Sequence, residues 1–313
     1  MGKRPRVTVL GSLNMDISVT VPRLPEPGAT VLGSAARFTP GGKGANQAVA
    51  AARLGGDVLM AGCVGDDAFG GQLLAALETE GVNVGHVRVT TNAPTGLAMI
   101  SVDQAGENMI TVASGANHEV GEIQVAAAVS RADGILVICA EIPVPAITAA
   151  LTRSKARCIL NLAPAPDNPA AILGHAPGPD WLVVNETEAA AVLGRPVDGL
   201  AEAAQAAVAL TAMGARHAVV TAGAHGAALA TADTGAAERI EAFGVEAVDT
   251  VGAGDTFVGA LAVALAAGVP AAEAVRAAAA AGATAATRPG AQAGMPRPAD
   301  IRAATGLTWP VSP

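Results

Sequence analysis

The 313-residue chain has no tyrosine, and aromatic residues make up only 2% of it. Proteins that bind single-stranded nucleic acid stack the bases on aromatic side chains, so this composition argues against that class. Basic residues are also in the minority, because 19 Lys and Arg stand against 27 Asp and Glu, which gives a net charge of −8. A groove for a nucleic-acid backbone needs a basic surface. We therefore expect no nucleic acid among the partners.

Cysteines and long apolar runs are scarce as well. Cys63, Cys139 and Cys158 are far apart and odd in number, so neither a zinc site nor a disulfide framework is supported. No segment offers the roughly 18 strongly apolar residues that cross a bilayer, and residues 258–269, which come nearest, read as a buried helix. The apolar run after the basic start of the chain is too short for a signal peptide. We expect a cytoplasmic protein with no membrane partner.

Hydrophobic residues make up 51% of the chain, and many are alanines, which favours helices packed closely on a sheet. Short apolar runs of strand character alternate with stretches of helical pattern. We expect strands near residues 7–10, 58–64, 134–139, 158–162, 181–184 and 217–221, and helices near 42–54, 69–80, 145–152, 186–193 and 200–213. This alternation predicts an α/β fold with a doubly wound, mostly parallel sheet flanked by helices. Such sheets bind ligands beyond the carboxyl ends of their strands.

Two segments depart from this pattern. Residues 16–38 contain three prolines among β-branched residues, and residues 95–112 alternate polar and apolar positions around a turn at 104–106. Both read as antiparallel strands, so we expect them to form a small β lid over the active face. No internal repeat and no long linker divides the chain, and we therefore predict a single domain over residues 1–313.

The sequence DTVGAGDTF at residues 249–257 places a glycine turn before Asp255, and a helix-prone apolar run follows at 257–267. A helix that begins at such a turn exposes unpaired backbone N–H groups and the positive end of its dipole, which attract phosphate. A carboxylate is unfavourable there unless it has a chemical task. Taking a proton from a hydroxyl that attacks a phosphoryl group is such a task, and we predict that Asp255 performs it.

Two further motifs suit a ligand with several hydroxyls. Residues 41–48 read GGKGANQA, which lacks the spacing of a Walker A loop but lets Lys43 and Asn46 reach hydroxyls or phosphate oxygens. The alternative is a turn at a helix start with an exposed lysine. Asn14 and Asp16 follow the first strand and face the same side, where they could bind paired hydroxyls of a sugar. A turn that closes the strand is the alternative for this pair.

Other strand ends carry weaker signals. Asn185 and Glu188 could form a capping box, or they could lie near phosphate that is bound to Mg²⁺. The small residues at 221–226 would let a nucleotide lie against the backbone, although a simple turn between strands explains them equally. Glu141 reads either as a turn residue or as a ligand for a hydroxyl. The sequence alone leaves these alternatives open.

Taken together, these motifs resemble those of the ribokinase-like (PfkB) sugar kinases. The resemblance rests on the Asn14 and Asp16 pair, residues 41–48, the NETE sequence at 185–188 and residues 249–257, and the TRPGAQ sequence at 287–292 strengthens it. Their order and spacing agree over nearly the whole chain, from about residue 7 to 304. Within the family, the sequence at 41–48 is most similar to that of members that act on ribose.

The resemblance implies MgATP-dependent phosphorylation of D-ribose at its 5-hydroxyl, on an α/β domain whose small β lid also forms a homodimer. It makes Asp255 the catalytic base. The backbone N–H groups of an anion hole would come from Gly252, Ala253 and Gly254. The implied ribose ligands are Asn14, Asp16, Gly42, Lys43, Asn46 and Glu141. The implied ATP site comprises Asn185, Thr221, Gly223, Ala224, His225, Gly226 and Gly254, with Glu188 tied to Mg²⁺ and phosphate.

The resemblance also implies a monovalent cation, usually K⁺, near the anion hole. Its ligands would be oxygens of Asp249, Val251, Ala285, Arg288, Gly290 and Gly294. Position 294 often carries a hydroxyl group in the family, so that here only a backbone carbonyl could serve. A second departure is Ala279, where relatives often carry Asn or His near the adenine. Contacts to adenine from that position would then be apolar.

Several competing functions remain at this point. Other kinases of the family act on 2-deoxyribose, fructose, a keto-deoxy sugar acid or a nucleoside. Asn14 favours a sugar with a 2-hydroxyl. A sugar-acid kinase would need a basic residue over the carboxylate, and no extra Lys or Arg is placed near Asn14 in the sequence. A nucleoside kinase would prefer aromatic residues in the lid to stack the base, and Phe38 is the only aromatic residue in the lid segments. A non-catalytic sugar sensor is a different class, but such a protein would have no need to keep Asp255 and its glycines.

Overall fold

Two β-sheets form the framework of the computed structural model, which describes residues 3–131, 133–174 and 177–311. In those residues the strands are β1 (Arg6–Leu10), β2 (Asn14–Thr20), β3 (Arg37–Gly41), β4 (Asp57–Gly65), β5 (Asn83–Thr90), β6 (Gly96–Val102), β7 (Asn108–Ala113), β8 (Ile135–Cys139), β9 (Arg157–Asn161), β10 (Trp181–Asn185), β11 (His217–Thr221), β12 (Ala227–Thr231) and β13 (Ala237–Ile240). The large sheet has the order β13-β12-β11-β10-β9-β8-β1-β4-β5, and the small sheet has the order β3-β2-β6-β7.

The large sheet is parallel from β5 to β11, and β12 and β13 are added as antiparallel strands at one edge. Its central strands are apolar runs buried on both faces, as parallel strands covered by helices require. The α/β fold with a mostly parallel sheet is therefore confirmed, and the six predicted strands agree with β1, β4 and β8 to β11 within about one residue at either end.

Helices cover both faces of this sheet, with one apolar cluster on each side. The helices are α1 (Lys43–Arg53), α2 (Ala68–Thr79), α3 (Glu122–Ser130), α4 (Val144–Arg153), α5 (Ala170–Leu173), α6 (Glu186–Leu193), α7 (Gly199–Ala212), α8 (Ala253–Ala266), α9 (Ala271–Ala286), α10 (Ala291–Gly294) and α11 (Pro298–Thr305). Helices α1, α2, α8 and α9 lie on one face, and α3, α4, α6 and α7 lie on the other. Within the described ranges, no helix combines the length and the apolar character that a membrane crossing needs.

Small residues allow α1 and α8 to pack closely. A Cβ atom at Gly259 of α8 would lie only 2.6 Å from the carbonyl oxygen of Gln47 and 2.8 Å from Cβ of Ala50. Forcing extra atoms into a packed core costs about 1–3 kcal/mol. The alanine and glycine content of the sequence therefore sets the distance between these two helices, and both of them carry predicted site residues at their N-terminal ends.

The small sheet is confirmed as a separate element, but its middle pairing differs from the antiparallel arrangement predicted for the lid. Strand β2 pairs antiparallel with β3, and β6 pairs antiparallel with β7, whereas β2 and β6 run parallel. The reason is topological, because β2 follows β1 and β6 follows β5, and both leave the large sheet at its carboxyl edge. Residues 21–36 contain no strand, in keeping with their prolines.

Two helix predictions needed correction. Helix α8 begins at Ala253, four residues before the predicted run at 257–267, because Gly252 adopts a left-handed conformation with φ of 77° and starts the helix directly. Helix α9 was not predicted. Its 16 residues are mostly alanine, which has a high helix propensity, so composition alone could have indicated this helix.

Candidate active site

The N-terminal end of α8 combines a carboxylate with open backbone donors. Asp255 lies in the first turn of the helix and is 8% exposed. The N–H of Ala253 donates to the Thr250 carbonyl at 3.2 Å, whereas the N–H groups of Gly252 and Gly254 have no acceptor among the residues described. Two donors at the positive end of the helix dipole therefore face outward, beside a buried carboxylate.

Amide side chains of α1 hold both oxygens of the Asp255 carboxylate. Asn46 Nδ2 donates to Oδ2 at 2.9 Å, and Gln47 Nε2 donates to Oδ1 at 3.1 Å. Gln292 Nε2 in turn donates to Asn46 Oδ1 at 3.1 Å, and Gln47 Nε2 also donates to Asn161 Oδ1 at 2.9 Å. Hydrogen bonds from neutral donors favour the ionised form of a carboxylate without adding charge.

A cavity of about 220 Å³ opens beside this carboxylate at the carboxyl end of β10 and β11. It brings together residues from separate parts of the chain that the sequence analysis singled out. These lining residues are Lys43, Asn185, Glu188, Thr221, Gly252, Gly254 and Asp255. The prediction that the site lies beyond the carboxyl ends of the strands agrees with this location.

Asn185 and Glu188 form the capping box that the sequence suggested. Asn185 Oδ1 accepts from the Glu188 N–H, and Glu188 Oε2 accepts from the Asn185 N–H, both at 2.8 Å. The same two residues line the cavity. The capping interpretation is therefore correct, and it is compatible with a role in ligand binding because the cap fixes both side chains at the cavity wall.

A second polar cluster lies where the small sheet meets the large one. Glu141 Oε2 accepts from the Ser12 hydroxyl at 2.5 Å and from the Lys43 N–H at 3.4 Å. A side chain at Gly41 would collide with the carboxylate of Asp16, and a Cβ at Gly42 would lie 2.6 Å from the backbone nitrogen of Asn14. The two glycines thus allow the start of α1 to approach the residues predicted to bind a sugar.

The orientation of Asn14 is set by Asn117, a residue that sequence analysis missed. Asn117 Oδ1 accepts from the Leu13 N–H at 2.9 Å, and its Nδ2 donates to Leu13 O at 3.2 Å and to Asn14 Oδ1 at 2.7 Å. With its oxygen engaged, Asn14 presents its NH₂ group as the remaining donor. Nothing in the sequence connects positions more than a hundred residues apart, whereas Gln47 could have been noticed because it lies beside Asn46.

Charges in this cluster shift one another's pKa values. Burial, together with the nearby Glu141 and Asp255, raises the pKa of Asp16 to about 7. Burial raises the pKa values of Glu141 and Glu188 as well. Burial opposes the charge on Lys43, but Asp255, Glu141 and Glu188 outweigh it and raise the pKa of that ammonium group. Lys43 is therefore the positive centre among several carboxylates.

The predicted nucleotide segment forms a tight turn between β11 and β12. Gly223–His225 is a single turn of 3₁₀-helix, and Gly226 has φ of 106°, a conformation that side-chain-bearing residues rarely adopt. Thr221 lines the cavity, but Gly223, Ala224, His225 and Gly226 lie next to it and not in its wall. The interpretation as a turn between strands is therefore correct.

The predicted cation ligands converge behind the glycine turn. Asp249 Oδ1 accepts from the Val251 N–H at 3.0 Å, and Oδ2 accepts from the Gly290 N–H at 2.8 Å. A Cβ at Gly294 would lie 3.1 Å from the Arg288 carbonyl oxygen and 3.2 Å from that of Ala285. Carbonyl oxygens and a carboxylate suit a hard cation. Across the described parts of the chain, no group of three His, Cys, Asp or Glu side chains could hold a metal ion by itself.

This fold and the polar cavity beside a helix N-terminus are those of an enzyme that transfers a phosphoryl group from ATP to a sugar. The chain belongs to the pfkB family of carbohydrate kinases, whose model matches residues 4–298.

Characterised relatives agree with this assignment. The chain is 36% identical to a ribokinase of Haemophilus influenzae over 94% of this chain and 96% of the relative. It is 35% identical to a deoxyribokinase of Salmonella typhi over 82% of this chain and 84% of the relative. The structure of an Arabidopsis thaliana ribokinase complexed with ribose and ATP superimposes with a TM-score of 0.84 at 30% identity, covering 98% of this chain and 100% of that one.

The raised pKa of Asp16 leads to a prediction about stability. Its ordinary value is 3.8 and its value in the folded protein is about 7, so the folded state binds the additional proton between these values. Stability is then lost as the pH rises through this window. We expect Asp16→Asn to raise Tm relative to the parent protein at pH 8, and to raise it much less at pH 4.5.

Thermal unfolding of both proteins at the two pH values checks this prediction. Asp167→Asn, at an exposed position, is the matched control and should leave the difference in Tm independent of pH. An Asp16→Asn effect of equal size at both pH values would contradict the raised pKa.

Proposed function

We propose that this protein transfers the γ-phosphoryl group of MgATP to the 5-hydroxyl of D-ribose, giving D-ribose 5-phosphate and ADP. The observation that carries the proposal is the buried Asp255 carboxylate at the N-terminal end of α8, held between the cavity and the polar cluster of the small sheet. The ribokinase and the ribose complex among its relatives support ribose as the acceptor.

The sugar would lie between the small sheet and α1. Asp16 accepts hydrogen bonds from sugar hydroxyls, Asn14 donates through its NH₂ group, and Lys43 and Asn46 complete the set from the start of α1. Gly42 allows the close approach, and Glu141 serves as a further acceptor. Side chains from both sheets therefore surround one small polyhydroxylated ligand, which suits a pentose.

The chemistry needs orientation and charge stabilisation. The 5-oxygen attacks the γ-phosphorus, its proton passes to Asp255, and the bond to the bridging oxygen of ADP breaks. The N–H groups of Gly252 and Gly254, joined by that of Ala253 when it leaves Thr250, stabilise the charge on the transferring group. Removing one such donor commonly costs about 10²–10³ in rate. Mg²⁺, with Glu188 as the acidic residue near it, would neutralise charge on the phosphates when bound.

ATP would extend along the carboxyl ends of β10 and β11. Asn185 and Thr221 line the cavity, and the exposed Gly223–His225 turn, which the buried Gly226 follows, offers backbone against which the nucleotide can lie. Ala279 on α9 would contribute only apolar contact to the adenine. The small sheet would act as a lid that excludes water from the reacting groups. We also propose a cytoplasmic location, where ATP is supplied.

Asp255→Asn should abolish turnover while ribose still binds. The substitution preserves the shape of the side chain but removes the proton acceptor, so we expect kcat to fall by at least about 10³. Steady-state ADP release and calorimetric titration with ribose measure the two properties separately. A kcat near that of the parent protein would contradict the role of Asp255.

The acceptor is tested by ADP release with ribose, 2-deoxyribose, fructose and adenosine. We expect the highest kcat/KM with ribose. Deoxyribose is the main competitor because a deoxyribokinase is among the relatives, and Asn14 is the residue that should favour a 2-hydroxyl. A preference for deoxyribose would transfer the proposal to that sugar and would leave the phosphoryl-transfer chemistry unchanged.

We further propose that K⁺ binds behind the glycine turn. Oxygens of Asp249, Val251, Ala285, Arg288, Gly290 and Gly294 would hold it. The fit rests on the space that Gly294 leaves beside two carbonyl oxygens and on the Asp249 carboxylate, which links the turn at Val251 with the turn at Gly290. A cation there would stabilise the conformation of residues 249–252, which open the anion hole.

Potassium should therefore raise the rate, by several-fold over a buffer that contains neither K⁺ nor Na⁺. Asp249→Asn should remove this stimulation, because the neutral amide cannot accept from both N–H groups and has lost its charge. Initial rates against K⁺ concentration provide the measurement, with Asp233→Asn at an exposed position as the control. A flat response of the parent protein would show that the site does not function with Gly294.

We also propose a homodimer through the small sheet. Strand β7 lies at the edge of the small sheet, and all six of its residues are exposed. Among them, Ile110 and Val112 are 51% and 46% exposed. Cross-strand pairing places Val112 opposite Ala98, which in turn lies opposite Asp16, so that this apolar surface lies on the same face of the small sheet as Asp16. Exposed apolar edge strands pair with other chains unless they are covered.

Analytical ultracentrifugation tests this proposal. We expect a dimer for the parent protein and a shift to monomer for Ile110→Lys, because the charge would be buried in the interface. Ile123→Lys, at a 69% exposed position on α3, should remain dimeric. A parent protein that is monomeric at tens of micromolar would argue against the interface.

A further inference from the structure

Gln47 is a buried glutamine that follows directly on a predicted sugar ligand and contacts the carboxylate of Asp255. We infer that Gln47 is a positioning residue, which fixes the rotation of the Asp255 carboxylate so that one oxygen faces the acceptor hydroxyl. The inference rests on the proposed function, since it concerns the same proton acceptor. It adds a residue to which no role was assigned above.

The geometry places Gln47 between two acceptors. Its side chain lies in α1 with no exposed surface, and Nε2 is 3.1 Å from Asp255 Oδ1 and 2.9 Å from Asn161 Oδ1. The preceding residue, Asn46, donates to the other oxygen, Oδ2, at 2.9 Å. Consecutive residues of one helix therefore donate hydrogen bonds to the two oxygens of one carboxylate. A carboxylate held at both oxygens cannot rotate freely about its Cβ–Cγ bond.

The direction of these hydrogen bonds follows from chemistry. Asn161 Nδ2 donates to the carbonyl oxygen of Val183 at 3.2 Å, and a backbone carbonyl can only accept. Asn161 must therefore turn Oδ1 toward Gln47. An ionised carboxylate is also only an acceptor, so Gln47 must present its NH₂ group to both neighbours. A series of hydrogen bonds thus links Val183 through Asn161 and Gln47 to Asp255. Its last donor is the Gln47 NH₂ group, which faces the carboxylate.

Stability alone does not account for Gln47. Its Oε1 is buried and has no hydrogen-bond partner among the described residues, and an unpaired buried acceptor destabilises the folded state. An apolar side chain would remove this unpaired acceptor, but it would leave Oδ1 of Asn161 and Oδ1 of Asp255 without the donor that they share. The carbonyl end of Gln47 is unfavourable for folding, while its amide end contacts the reacting carboxylate.

The surrounding charges explain why donors are needed there. Asp16, Glu141 and Glu188 all oppose a further negative charge near Asp255, and Lys43 is the cation that favours it. Neutral amide donors support an ionised carboxylate without adding a charge that would compete for the phosphates. Gln47 therefore orients the acceptor through a neutral donor.

The variant Gln47→Met tests the inference. We expect kcat to fall by about tenfold or more, because misplacement of a reacting group lowers the rate, while KM for ribose changes by less than about threefold. The acid limb of the pH profile of kcat/KM should move to higher pH, because a donor to the charged form is lost. Tm should fall modestly, because Oδ1 of Asn161 and Oδ1 of Asp255 both lose a donor while only one unpaired acceptor is removed.

Two further variants make the result specific. Gln47→Glu places a second carboxylate beside Asp255 and should move the acid limb to still higher pH. Gln124→Met is the matched control, because Gln124 is a 2% exposed glutamine of α3 whose Oε1 accepts from the Gly121 N–H. That control should lower Tm while leaving kcat and the pH profile unchanged, so it separates an effect on stability from the effect on catalysis expected for Gln47→Met.

Several outcomes would overturn the inference. An unchanged kcat and acid limb in folded Gln47→Met would do so, and so would a loss of kcat that only follows the loss of folded protein. If Gln47→Met does not fold, an unchanged acid limb in Gln47→Glu decides against the role. Failure of the proposed function is distinguishable, because the parent protein would then release no ADP with any sugar, and Asp255→Asn would behave like the parent.

Discussion

The hydrogen bonds from two amide side chains of α1 to the Asp255 carboxylate are the interaction on which the rest of the site depends. It exists because α1 and α8 approach closely over glycine and alanine, and because both helices begin at the carboxyl edge of the large sheet. The donors proposed to bind phosphate and the proposed proton acceptor then share one helix end. The buried carboxylate would be unfavourable in such a place without neutral donors and a nearby lysine, and the fold supplies all of them.

Much of this arrangement could be predicted from the sequence. The parallel sheet follows from apolar runs between helical stretches, and the helix end at residues 249–257 follows from glycines before a carboxylate. The capping box at Asn185 was also predicted, although its spacing could not decide between a structural and a binding role. In the structure the hydrogen bonds that cap the helix also hold both side chains at the cavity, so the capping role is compatible with the proposed binding role.

The remainder depends on contacts that a single sequence does not encode locally. Asn117 orients Asn14 from about a hundred residues away, and Asn161 turns Gln47 toward Asp255 across the sheet. The parallel pairing of β2 with β6 was missed because it follows from where two strands leave the large sheet, and strand patterns alone do not show their direction.

The parallel pairing of β2 with β6 also affects how binding of the sugar is coupled to the position of the small sheet. Asn14 and Asp16 belong to β2, so two of the groups proposed to hold the sugar are built into the small sheet, while Lys43, Asn46 and Asp255 belong to the body of the molecule. Because β2 and β6 leave the body of the molecule side by side, the small sheet is connected to it through two neighbouring, paired strands. A sugar that contacts both the small sheet and the body of the molecule would hold the two together. The free energy of its binding would then be available to close the small sheet over the reacting groups.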